Sequence, residues 1–368
     1  MSGAADIAFM ARALVLARRG LYTTAPNPRV GCVLVNDGVV VGEGFHARAG
    51  EPHAEVHALR QAGERARGAT AYVTLEPCAH HGRTPPCADA LVRAGVARVV
   101  AATQDSNPQV GGQGLARLRA AGIATECGVL EAEARALNAG FLRRMAGGLP
   151  WVRVKLAMSL DGRTAMASGE SKWITGPAAR RDVQKLRAQS GAVITGVGTV
   201  LADDPAMTVR IEDWLDWPEG LTPVQPRRVV VDSALRTPPT AKLLAGPGAL
   251  VVTTANDADR IAMLRAAGAE VWQQAGERVD LAELLRQLAA VQVNEVLVEA
   301  GPTLAGAFVA AGLVDELIVY QAPTLLGSAA RPLLELPLTT MAEQQRLRVL
   351  DARAVGADWR WTLAPAGA

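Results

Sequence analysis

Apolar positions in the first 145 or so residues fall either in short continuous runs or at helical spacing. The continuous runs, in chain order, are RVGCVLVN, VVVGEGF, ATAYVTLE, ARVVAAT and IATECGV. Such runs, separated by helices, are typical of strands in an α/β sheet that is covered on both faces. Asn36-Asp37-Gly38 joins the first two runs and predicts a hairpin.

Helical spacing precedes the hairpin and separates the later runs. The apolar faces of the first two predicted helices are Ile7, Met10, Leu14 and Ala17, and then Val56, Leu59 and Ala62. Pro52 suits the first position of the second helix. Further helices are predicted for ADALVRAG, for 115–121 and for the segment that holds Phe141 and Met145.

Gly-Gly-Leu-Pro at 147–150 ends the last of these helices, so we place a domain boundary there, between 1–147 and 148–368. The second part has its own α/β pattern. Its strand-like runs are WVRVKLAMS, GAVITGVGTV, RRVVVDS, GALVVTTA, EVLVEAG and ELIVYQAP. Helices are predicted over 177–189, 258–267, 280–290 and 303–311, and a loop over 214–226.

Composition excludes several classes of protein. The 368 residues carry a formal net charge of +2 and 4% are aromatic, which argues against a nucleic-acid binder. No apolar stretch approaches the roughly 20 residues that span a bilayer, and Asp6 and Arg12 argue against a signal peptide. The 4 cysteines are too few for a disulfide scaffold, and we expect Cys32 and Cys127 in the core. These features predict a cytoplasmic protein.

One set of residues has the composition of a catalytic zinc site. His53-Ala54-Glu55 opens the second helix, Pro77-Cys78 follows a strand, and Cys87 begins another helix. One imidazole and two thiolates leave the fourth tetrahedral position to water, whose pKa zinc lowers. Glu55 can then carry a proton from that water to a departing amine, as in nucleobase deaminases. We therefore predict one zinc ion on His53, Cys78 and Cys87, with Glu55 as the catalytic residue.

Other interpretations stay open on these residues alone. A buried histidine with a surface glutamate would explain the first motif without a metal. A structural zinc site would take a fourth ligand from His57, His80 or His81. Nucleobase deaminases commonly have Cys-x-x-Cys, whereas eight residues separate the two cysteines here.

The segment TLEPCAHHGRTPPC (74–87), with Pro26-Asn27-Pro28-Arg29-Val30-Gly31, closely resembles the family of bifunctional riboflavin-biosynthesis deaminase/reductases. In that family an insertion carrying His-x-Gly-Arg/Lys-Thr separates the zinc cysteines, and Ala79 stands where serine is usual. The resemblance continues through WVRVKLAMSLDGRTA, GESKWITG, LRAQSGAVITGVGTVLADDPAMTVR and VEAGPTLAGAF, nearly the whole chain. It implies a cytidine-deaminase-like α/β/α domain followed by a dihydrofolate-reductase-like α/β domain.

The resemblance also implies a substrate, a diaminopyrimidinone ribosylamine 5′-phosphate. Zinc-dependent deamination at the pyrimidine C2 amine would precede NADPH reduction of the ribosyl group to ribityl. The implied deaminase substrate contacts are Asn27, His46, His80 and Arg83. Asn27 can pair with a pyrimidine edge, while His80 and Arg83 can offer positive charge to the phosphate. Equally, Asn27 can organise the Pro-Asn-Pro turn and Arg83 can be a solvated loop residue.

Residues of the second half are assigned by the same resemblance. The implied NADPH contacts are Ala157, Trp173, Thr199, Asp203, Ser233, Gly301, Pro302, Thr303, Leu304, Ala305, Gly306 and Ala307. The implied substrate contacts are Ser171, Arg187, Met207, Arg210 and Glu299. The loops at 196–201 and 301–306 fall short of a dinucleotide fingerprint and a P-loop. Both nevertheless put glycines at strand ends, where open α/β sheets bind ligands.

Some of these side chains suggest chemistry. Arg187 and Arg210 suit a clamp on the 5′-phosphate, and Lys155 and Asp203 are candidate catalytic residues of the reductase. Lys155 can instead be a surface lysine at a strand end, and Asp203-Asp204-Pro205 can be a turn.

The predicted partner is a small phosphorylated pyrimidine nucleotide, with no nucleic acid and no membrane, and we expect a homo-oligomer. Two rival functions remain. A deaminase of free cytosine, guanine or tRNA with an unrelated second domain would bind no NADPH. A non-catalytic zinc-stabilised binding module would have a fourth protein ligand on zinc and would tolerate substitution of Glu55.

Overall fold

The computed structural model describes residues 3–80, 85–108, 111–214 and 222–366. The chain divides into unit 1, Met1–Leu149, and unit 2, Pro150–Ala368. The division therefore falls after Leu149, whereas the sequence pattern suggested residue 147. None of the helices formed by the described residues is long and apolar enough to cross a membrane.

Unit 1 is a sheet with helices on both faces. Its helices are α1 (Ala4–Arg18), α2 (Ala54–Ala62), α3 (Cys87–Ala94), α4 (Gln113–Ala120), α5 (Glu131–Leu137) and α6 (Ala139–Met145). Its strands are β1 (Gly31–Asn36), β2 (Val39–Phe45), β3 (Thr70–Val73), β4 (Arg98–Ala101) and β5 (Ala124–Cys127). The sheet order is β2-β1-β3-β4-β5, with β1 antiparallel to both neighbours and β3, β4 and β5 parallel.

Apolar clusters fill the space on each side of this sheet. Cys32 and Leu34 of β1 join the cluster under α2 and α3, whereas Val33 and Val35 join the cluster under α1, because successive strand side chains alternate. The layers agree with the predicted α/β/α arrangement. The expectation for Cys127 was wrong, because β5 is an edge strand and leaves this thiol exposed.

Met10, Leu14, Ala17 and Ala62 of the predicted apolar faces of α1 and α2 are buried as expected, and the other predicted positions are more exposed. Ile7 is 46% exposed, since α1 turns the carboxylate of Asp6 inward to Tyr72 and Arg98. On α2 the buried apolar side chains are Ala54, Ala58 and Ala62, and Val56 and Leu59 are half-buried. Pro52 precedes the N-cap and does not occupy the first helical turn.

Small residues let α2 approach β2 closely. A methyl group added at Gly42 would lie 2.2 Å from the Ala58 carbonyl oxygen, and one added at Gly44 would lie 2.4 Å from the Ala54 carbonyl oxygen. Both distances are far below van der Waals contact, so the backbones pack directly against each other. This packing fixes the start of α2, where His53 and Glu55 lie.

Unit 2 contains a larger, mostly parallel sheet. Its helices are α7 (Pro177–Gln189), α8 (Val197–Asp203), α9 (Ala258–Ala266), α10 (Leu281–Ala290) and α11 (Pro302–Ala310). Its strands are β6 (Trp151–Ser159), β7 (Arg163–Ala165), β8 (Ala192–Gly196), β9 (Arg227–Val231), β10 (Ala249–Thr253), β11 (Glu270–Gln273), β12 (Glu295–Glu299), β13 (Glu316–Ala322), β14 (Arg331–Pro332), β15 (Leu347–Val355) and β16 (Asp358–Pro365).

The large sheet has the order β11-β10-β9-β8-β12-β6-β13-β16-β15. Its strands are parallel from β11 to β13, and β16 and β15 complete it as an antiparallel hairpin. Strand β12 is inserted between β8 and β6, which come earlier in the chain. The carboxyl ends of β8, β12 and β6 therefore form a switch point of the kind where open α/β sheets bind ligands.

The structure of unit 2 differs from the predicted one in two respects, and one predicted loop lies partly outside the described residues. The run GAVITGVGTV is not one strand, because β8 ends at Gly196 and the next seven residues form α8. Strands β7, β11, β14, β15 and β16 were not predicted, since their residues lack a continuous apolar run. Of the loop predicted over 214–226, residues 215–221 lie outside the described residues, and 222–226 form no helix or strand.

Candidate active sites

The three predicted zinc ligands meet where two helices of unit 1 begin. His53 is the N-cap of α2, Cys87 is the first residue of α3, and Cys78 lies in the loop after β3. His53 Nδ1 lies 3.2 Å from Cys87 Sγ and 3.7 Å from Cys78 Sγ. Tetrahedral zinc with ordinary bond lengths separates a nitrogen and a sulfur ligand by about 3.6 Å. The donor set and its spacing therefore fit a zinc ion.

Backbone contacts hold the two cysteines together. The Cys87 amide donates to Cys78 Sγ at 3.3 Å, and the Ala88 amide donates to the Cys78 carbonyl oxygen at 3.2 Å. Hydrogen bonding by the Cys87 thiol, assisted by His53, lowers the pKa of Cys78 to about 4 although burial opposes the shift. Cys78 is thus a thiolate near neutral pH, the form that binds metal.

Just before Cys78, a buried carboxylate anchors the loop. Glu76 accepts hydrogen bonds from the amides of Gly112 and Leu115 at 2.8 and 3.1 Å. These bonds tie the loop after β3 to the start of α4. The cysteine loop is therefore positioned by residues far along the chain.

Glu55 is the second residue of α2 and is 3% exposed. Burial, together with the charge of Cys78, raises its pKa to about 7, and His53 opposes the rise. Its Oε2 atom is buried and has no hydrogen-bond partner among the described residues. A buried carboxylate oxygen of this kind is costly unless a ligand or water supplies the partner. Glu55 is thus suited to a proton-transfer role beside the metal ligands.

No fourth His, Cys, Asp or Glu joins the ligand cluster within the described ranges. His57 and His80, two candidates for a closed structural site, are not members of it. His81, the third candidate, lies outside the described residues. Among the described residues, the cluster therefore has the three-ligand form that leaves a coordination position for water.

Asn27 and His46 are brought to the same place. His46 Nδ1 lies 3.2 Å from the Pro52 carbonyl oxygen, which can only accept, so Nδ1 carries the proton. Nε2 then accepts a hydrogen bond from Asn27 Nδ2 at 3.0 Å. Burial lowers the pKa of His46, which keeps the ring neutral. The His46 and His53 rings meet edge to face with centroids 5.2 Å apart. His46 therefore links Asn27 to the ligand cluster.

The other two predicted substrate contacts of unit 1 are His80 and Arg83. His80 is exposed at the end of the described part of the cysteine loop, and Arg83 lies outside the described residues. Sequence analysis did not single out Asp105, whose pKa is raised by burial, although a hydrogen bond from the Asn107 amide opposes the rise. Its place after β4, at the carboxyl edge of the parallel strands, was the signal that could have identified it.

Unit 2 gathers predicted substrate residues around a buried ion pair. Glu299 ends β12 and is paired in register with Lys155 of β6. Arg187 donates from Nε and Nη2 to the two Glu299 oxygens at 2.6 and 3.0 Å, and from Nη1 to the Thr208 carbonyl oxygen at 3.0 Å. Burial lowers the pKa of Lys155, Arg187 lowers it further, and Glu299 opposes the shift. Lys155 is half-buried in the middle of β6, so it is not a surface lysine at a strand end.

The two arginines predicted as a phosphate clamp differ in their surroundings. Burial acts to raise the pKa of Glu299, but the charges of Arg187, Lys155 and Arg210 outweigh it and the pKa is lowered. Arg187 is engaged inside the protein, whereas Arg210 is exposed. Of the two, Arg210 is the more exposed to solvent.

Predicted residues also meet around the end of α8. Lys172 Nζ lies 3.2 Å from Asp203 Oδ1, and this ion pair ties the segment 171–173 to that helix end. Trp173 is 70% exposed, with the Arg180 guanidinium 4.5 Å from its ring centroid. Met207 is buried and has a left-handed backbone, φ 56°. Asp203 itself is the last residue of α8, and Asp204 follows as its C-cap.

Most of the predicted cofactor residues follow neighbouring strands at one sheet edge. Helices α8 and α11 begin directly after β8 and β12, and a methyl group added at Gly301 would lie 4.0 Å from Thr199 Oγ1. Ser233 follows β9, and its Oγ accepts from the Val279 amide at 3.1 Å. Within the predicted loop 301–307, Ala305 and Gly306 are buried in α11. Ala157 lies within β6 beside the same edge.

Comparison with known proteins identifies the family. A model described as RibD C-terminal domain matches residues 150–360, and one described as cytidine and deoxycytidylate deaminase zinc-binding region matches residues 4–103. Riboflavin biosynthesis protein RibD of Escherichia coli is 56% identical over 358 residues, covering 96% of this chain and 97% of that protein. The chain belongs to the RibD family.

Solved RibD structures agree over the whole length. RibD of Acinetobacter baumannii, form 1, has a TM-score of 0.92 at 52% identity and covers 98% of this chain and 99% of its own. A diaminohydroxyphosphoribosylaminopyrimidine deaminase/5-amino-6-(5-phosphoribosylamino)uracil reductase of Thermotoga maritima has a TM-score of 0.87 at 32% identity, with coverage of 98% and 99%.

RibD membership makes this chain a bifunctional deaminase/reductase of riboflavin biosynthesis. The zinc-binding deaminase domain comes first, and the reductase domain has the dihydrofolate-reductase-like fold. The predicted fold class is confirmed. The interpretation in which the second half is unrelated to riboflavin synthesis is wrong, because that half matches the RibD C-terminal domain.

Proposed function

We propose that residues 1–147 deaminate a diaminopyrimidinone ribosylamine 5′-phosphate at C2 and that residues 148–368 reduce its ribosyl group with NADPH. The observation that carries this proposal is the cluster of His53, Cys78 and Cys87 with the buried carboxyl of Glu55 beside it. The second unit supplies a reductase domain in the same chain. The Thermotoga maritima relative is named for the corresponding substrate and product.

For deamination, zinc on the three ligands would supply a water molecule whose pKa lies near neutrality. Glu55 takes a proton on its free Oε2 atom and gives it to the amine that leaves the pyrimidine C2. Its burial serves this exchange, because a carboxyl whose pKa is raised toward 7 holds and releases a proton near neutral pH. The departing group is ammonia, and an oxygen replaces it on the ring.

Asn27 and His46 orient the base in this proposal. The neutral His46 ring accepts from the Asn27 amide nitrogen, which turns the Asn27 carbonyl oxygen toward a donor on the substrate. A pyrimidine amine or ring N–H is such a donor. His80 and Arg83 offer positive charge for the phosphate from the loop between the two cysteines.

For reduction, NADPH would supply a hydride to C1′ of the opened ribose. The glycine-containing loop 301–307, Thr199 and Ser233 receive the cofactor at the carboxyl edge of β9, β8 and β12. Ala157, Trp173 and Asp203 complete its contacts. These residues orient the cofactor and keep water from the reacting carbon, which is the main contribution of the protein to such a step.

The substrate of the reductase lies against the charged cluster. Arg210 binds the 5′-phosphate, and the Arg187–Glu299 pair presents the Glu299 carboxylate to ribose hydroxyls. Ser171 and Met207 line the same site. Lys155 is our candidate for proton transfer, since burial lowers the pKa of its ammonium and eases release of a proton from Nζ as the ring opens.

Substitution of Glu55 by glutamine in the full chain tests the two-site proposal. We expect Glu55→Gln to reduce ammonia release by about a hundredfold or more, with zinc per chain unchanged because the ligands remain. Reduction of the already deaminated nucleotide should keep its rate, measured as NADPH oxidation. Loss of both activities in a protein that still holds zinc would contradict the proposal.

We also propose that the protein self-associates through the C-terminal hairpin. Strand β15 is the edge of the large sheet, and Leu347, Val349 and Trp359 of the hairpin are exposed. Exposed apolar side chains on a strand edge favour pairing with another chain. Light scattering should give a mass above 38.5 kDa, and Val349→Asp should return it to the monomer value. A wild-type monomer at micromolar concentration would contradict self-association.

A further inference from the structure

A buried contact joins the segment that carries Asn27 to the end of unit 1. Asn138 lies between α5 and α6. Its Oδ1 accepts from the Arg29 amide at 2.8 Å, and its Nδ2 donates to the Arg29 carbonyl oxygen at 2.9 Å. Arg29 Nη1 donates in return to the Leu137 carbonyl oxygen at 2.9 Å. We call these three hydrogen bonds between Arg29 and Leu137–Asn138 the clasp.

The clasp replaces a missing strand partner. Arg29 precedes β1, beyond the ladder that pairs β1 with β2 and β3. The Asn138 side chain makes the two hydrogen bonds that a residue of a neighbouring strand would make. Asn138 is 1% exposed and Arg29 is 7% exposed, so removal of the Asn138 side chain takes two partners from buried backbone groups, which is costly. The backbone of Arg29 therefore depends on Asn138 for its position.

Two residues before Arg29, Asn27 contacts the His46 ring, which in turn meets the ring of the predicted zinc ligand His53. The amide of Asn27 donates to the Thr24 carbonyl oxygen at 2.8 Å, and the amide of His46 donates to the Val30 carbonyl oxygen at 2.9 Å. Asn27 also bonds the His46 ring. The segment is thus held by His46 on one side and by the clasp on the other. Release of the clasp removes three of the hydrogen bonds that hold this segment.

We propose that Asn138 is a positioning residue of the deaminase, which fixes Asn27 for substrate through the backbone of Arg29. This inference rests on the proposed role of Asn27 in binding the pyrimidine. It extends the deaminase site beyond the matched zinc-binding region, residues 4–103, to the junction of α5 and α6. The last helices of unit 1 thereby belong to the substrate site and do more than cover the sheet.

A double-mutant cycle in the full chain tests the proposal. The variants are Asn27→Ala, Asn138→Ala and the pair, with kcat and KM measured for ammonia release. We expect each single variant to lower kcat/KM about tenfold, mainly through KM, and the pair to lose little more than Asn27→Ala alone. Zinc per chain and NADPH oxidation with the deaminated nucleotide should not change. Asn138→Asp, which keeps the acceptor for the Arg29 amide, should lie between wild type and Asn138→Ala.

Asn36→Ala is the matched control. Asn36 also makes two side-chain hydrogen bonds to backbone, to the carbonyl oxygens of Arg65 and Arg67 at 3.0 and 3.1 Å, but it lies at the far end of β1. We expect its deamination kinetics to equal those of wild type. Hydrogen exchange followed by mass spectrometry adds a readout without substrate. Exchange of the amides within 27–31 should accelerate in Asn138→Ala and stay unchanged in Asn36→Ala.

Three results would overturn the inference. Effects of Asn27→Ala and Asn138→Ala that multiply would show that the two side chains act independently. Loss of zinc in both Asn138 variants would show that the residue supports the fold of unit 1 in general. Unchanged exchange within 27–31 would show that the clasp does not hold the segment. A wild-type protein without deaminase activity would refute the proposed function instead, and the exchange result would still decide the clasp.

Discussion

Burial shifts the pKa values of Glu55 and Lys155 in opposite directions, and in each case the shift favours the neutral form of the side chain. Burial raises the pKa of Glu55 to about 7, and burial lowers the pKa of Lys155. Both groups lie beside residues that would hold a ligand, where perturbed pKa values often accompany proton transfer. Glu55 in unit 1 thus takes up a proton more easily than it would in water, and Lys155 in unit 2 gives one up more easily.

The arginines of unit 2 give a prediction about the phosphate. Arg187 uses Nε, Nη1 and Nη2 within the protein, so the exposed Arg210 should carry most of the phosphate binding. A charged hydrogen bond of this kind contributes about 1.5–3 kcal/mol. We expect Arg210→Ala to raise KM for the deaminated nucleotide about ten- to a hundredfold, measured by NADPH oxidation.

The binding of cofactor provides the control. NADPH affinity of Arg210→Ala, measured by fluorescence titration, should match that of wild type, because the residue is a proposed substrate contact. Arg187→Ala should instead reduce kcat as well, since Glu299 loses the partner that orients it. Equal KM values for phosphorylated and dephosphorylated nucleotide in wild type would refute a phosphate clamp at this site.

At the scale of elements, the contact between α2 and β2 determines where His53 and Glu55 lie. A methyl group added at Gly44 would lie 2.4 Å from the Ala54 carbonyl oxygen and 2.6 Å from His57 Cβ. Overpacking of this kind costs about 1–3 kcal/mol. We therefore expect Gly44→Ala to weaken zinc binding in competition with a chelator and to slow deamination, with reduction unaffected.

A second glycine serves as the reference for that substitution. Gly3→Ala places its methyl group where no heavy atom lies within 4 Å, and its zinc affinity should equal that of wild type. If Gly44→Ala also binds zinc as wild type does, the close packing of α2 on β2 is not what positions the ligands.

The ion pair under α1 makes the stability of unit 1 dependent on pH. Hydrogen bonds from Arg98, with a further one from Tyr72, lower the pKa of Asp6 to about 2 although burial opposes the shift. An aspartate in an unfolded chain has a pKa of about 3.9. The stabilisation is therefore complete above pH 4, disappears as pH falls toward 2, and amounts to about 2–3 kcal/mol.

Asp6→Asn tests this dependence. We expect the variant to unfold more easily at pH 7 and to lose less of its free energy of unfolding than wild type between pH 4 and pH 2. Urea unfolding followed by circular dichroism measures the change. Because all 7 tryptophans lie in unit 2, their fluorescence reports that unit separately. Parallel pH profiles for variant and wild type would contradict the assignment to Asp6.

Local patterns predicted those elements whose signals are local. The Asn36-Asp37-Gly38 turn, the apolar runs that became β1 to β5 and the helix over 177–189 needed no distant partner. The hairpin of β15 and β16 was missed, because its strands mix apolar and charged residues and are half open to solvent. Exposure of Cys127 was missed because strand order decides which strand is an edge, and the sequence does not reveal that order.

Across the whole molecule, the zinc ligands were predictable, whereas the long-range contacts that hold other site residues in place were not. His53, Cys78 and Cys87 each lie at a strand or helix end that the sequence marks with proline. Asn138 lies 109 residues from its partner Arg29, and the pairing of Arg187 with Glu299 spans 112 residues. Contacts of that range depend on the packing of complete units and leave no periodic signal.

In the proposed function, one chain catalyses two successive reactions on one nucleotide. The most direct test supplies the full-length, zinc-loaded protein with the diaminopyrimidinone nucleotide, with and without NADPH, and identifies the products by mass spectrometry. Without NADPH we predict exchange of an amine for oxygen with release of ammonia, and with NADPH the further gain of a hydride and a proton. The proposed function would be contradicted if the nucleotide stayed unchanged with and without NADPH. It would also be contradicted if the deaminated product were not reduced when NADPH is present.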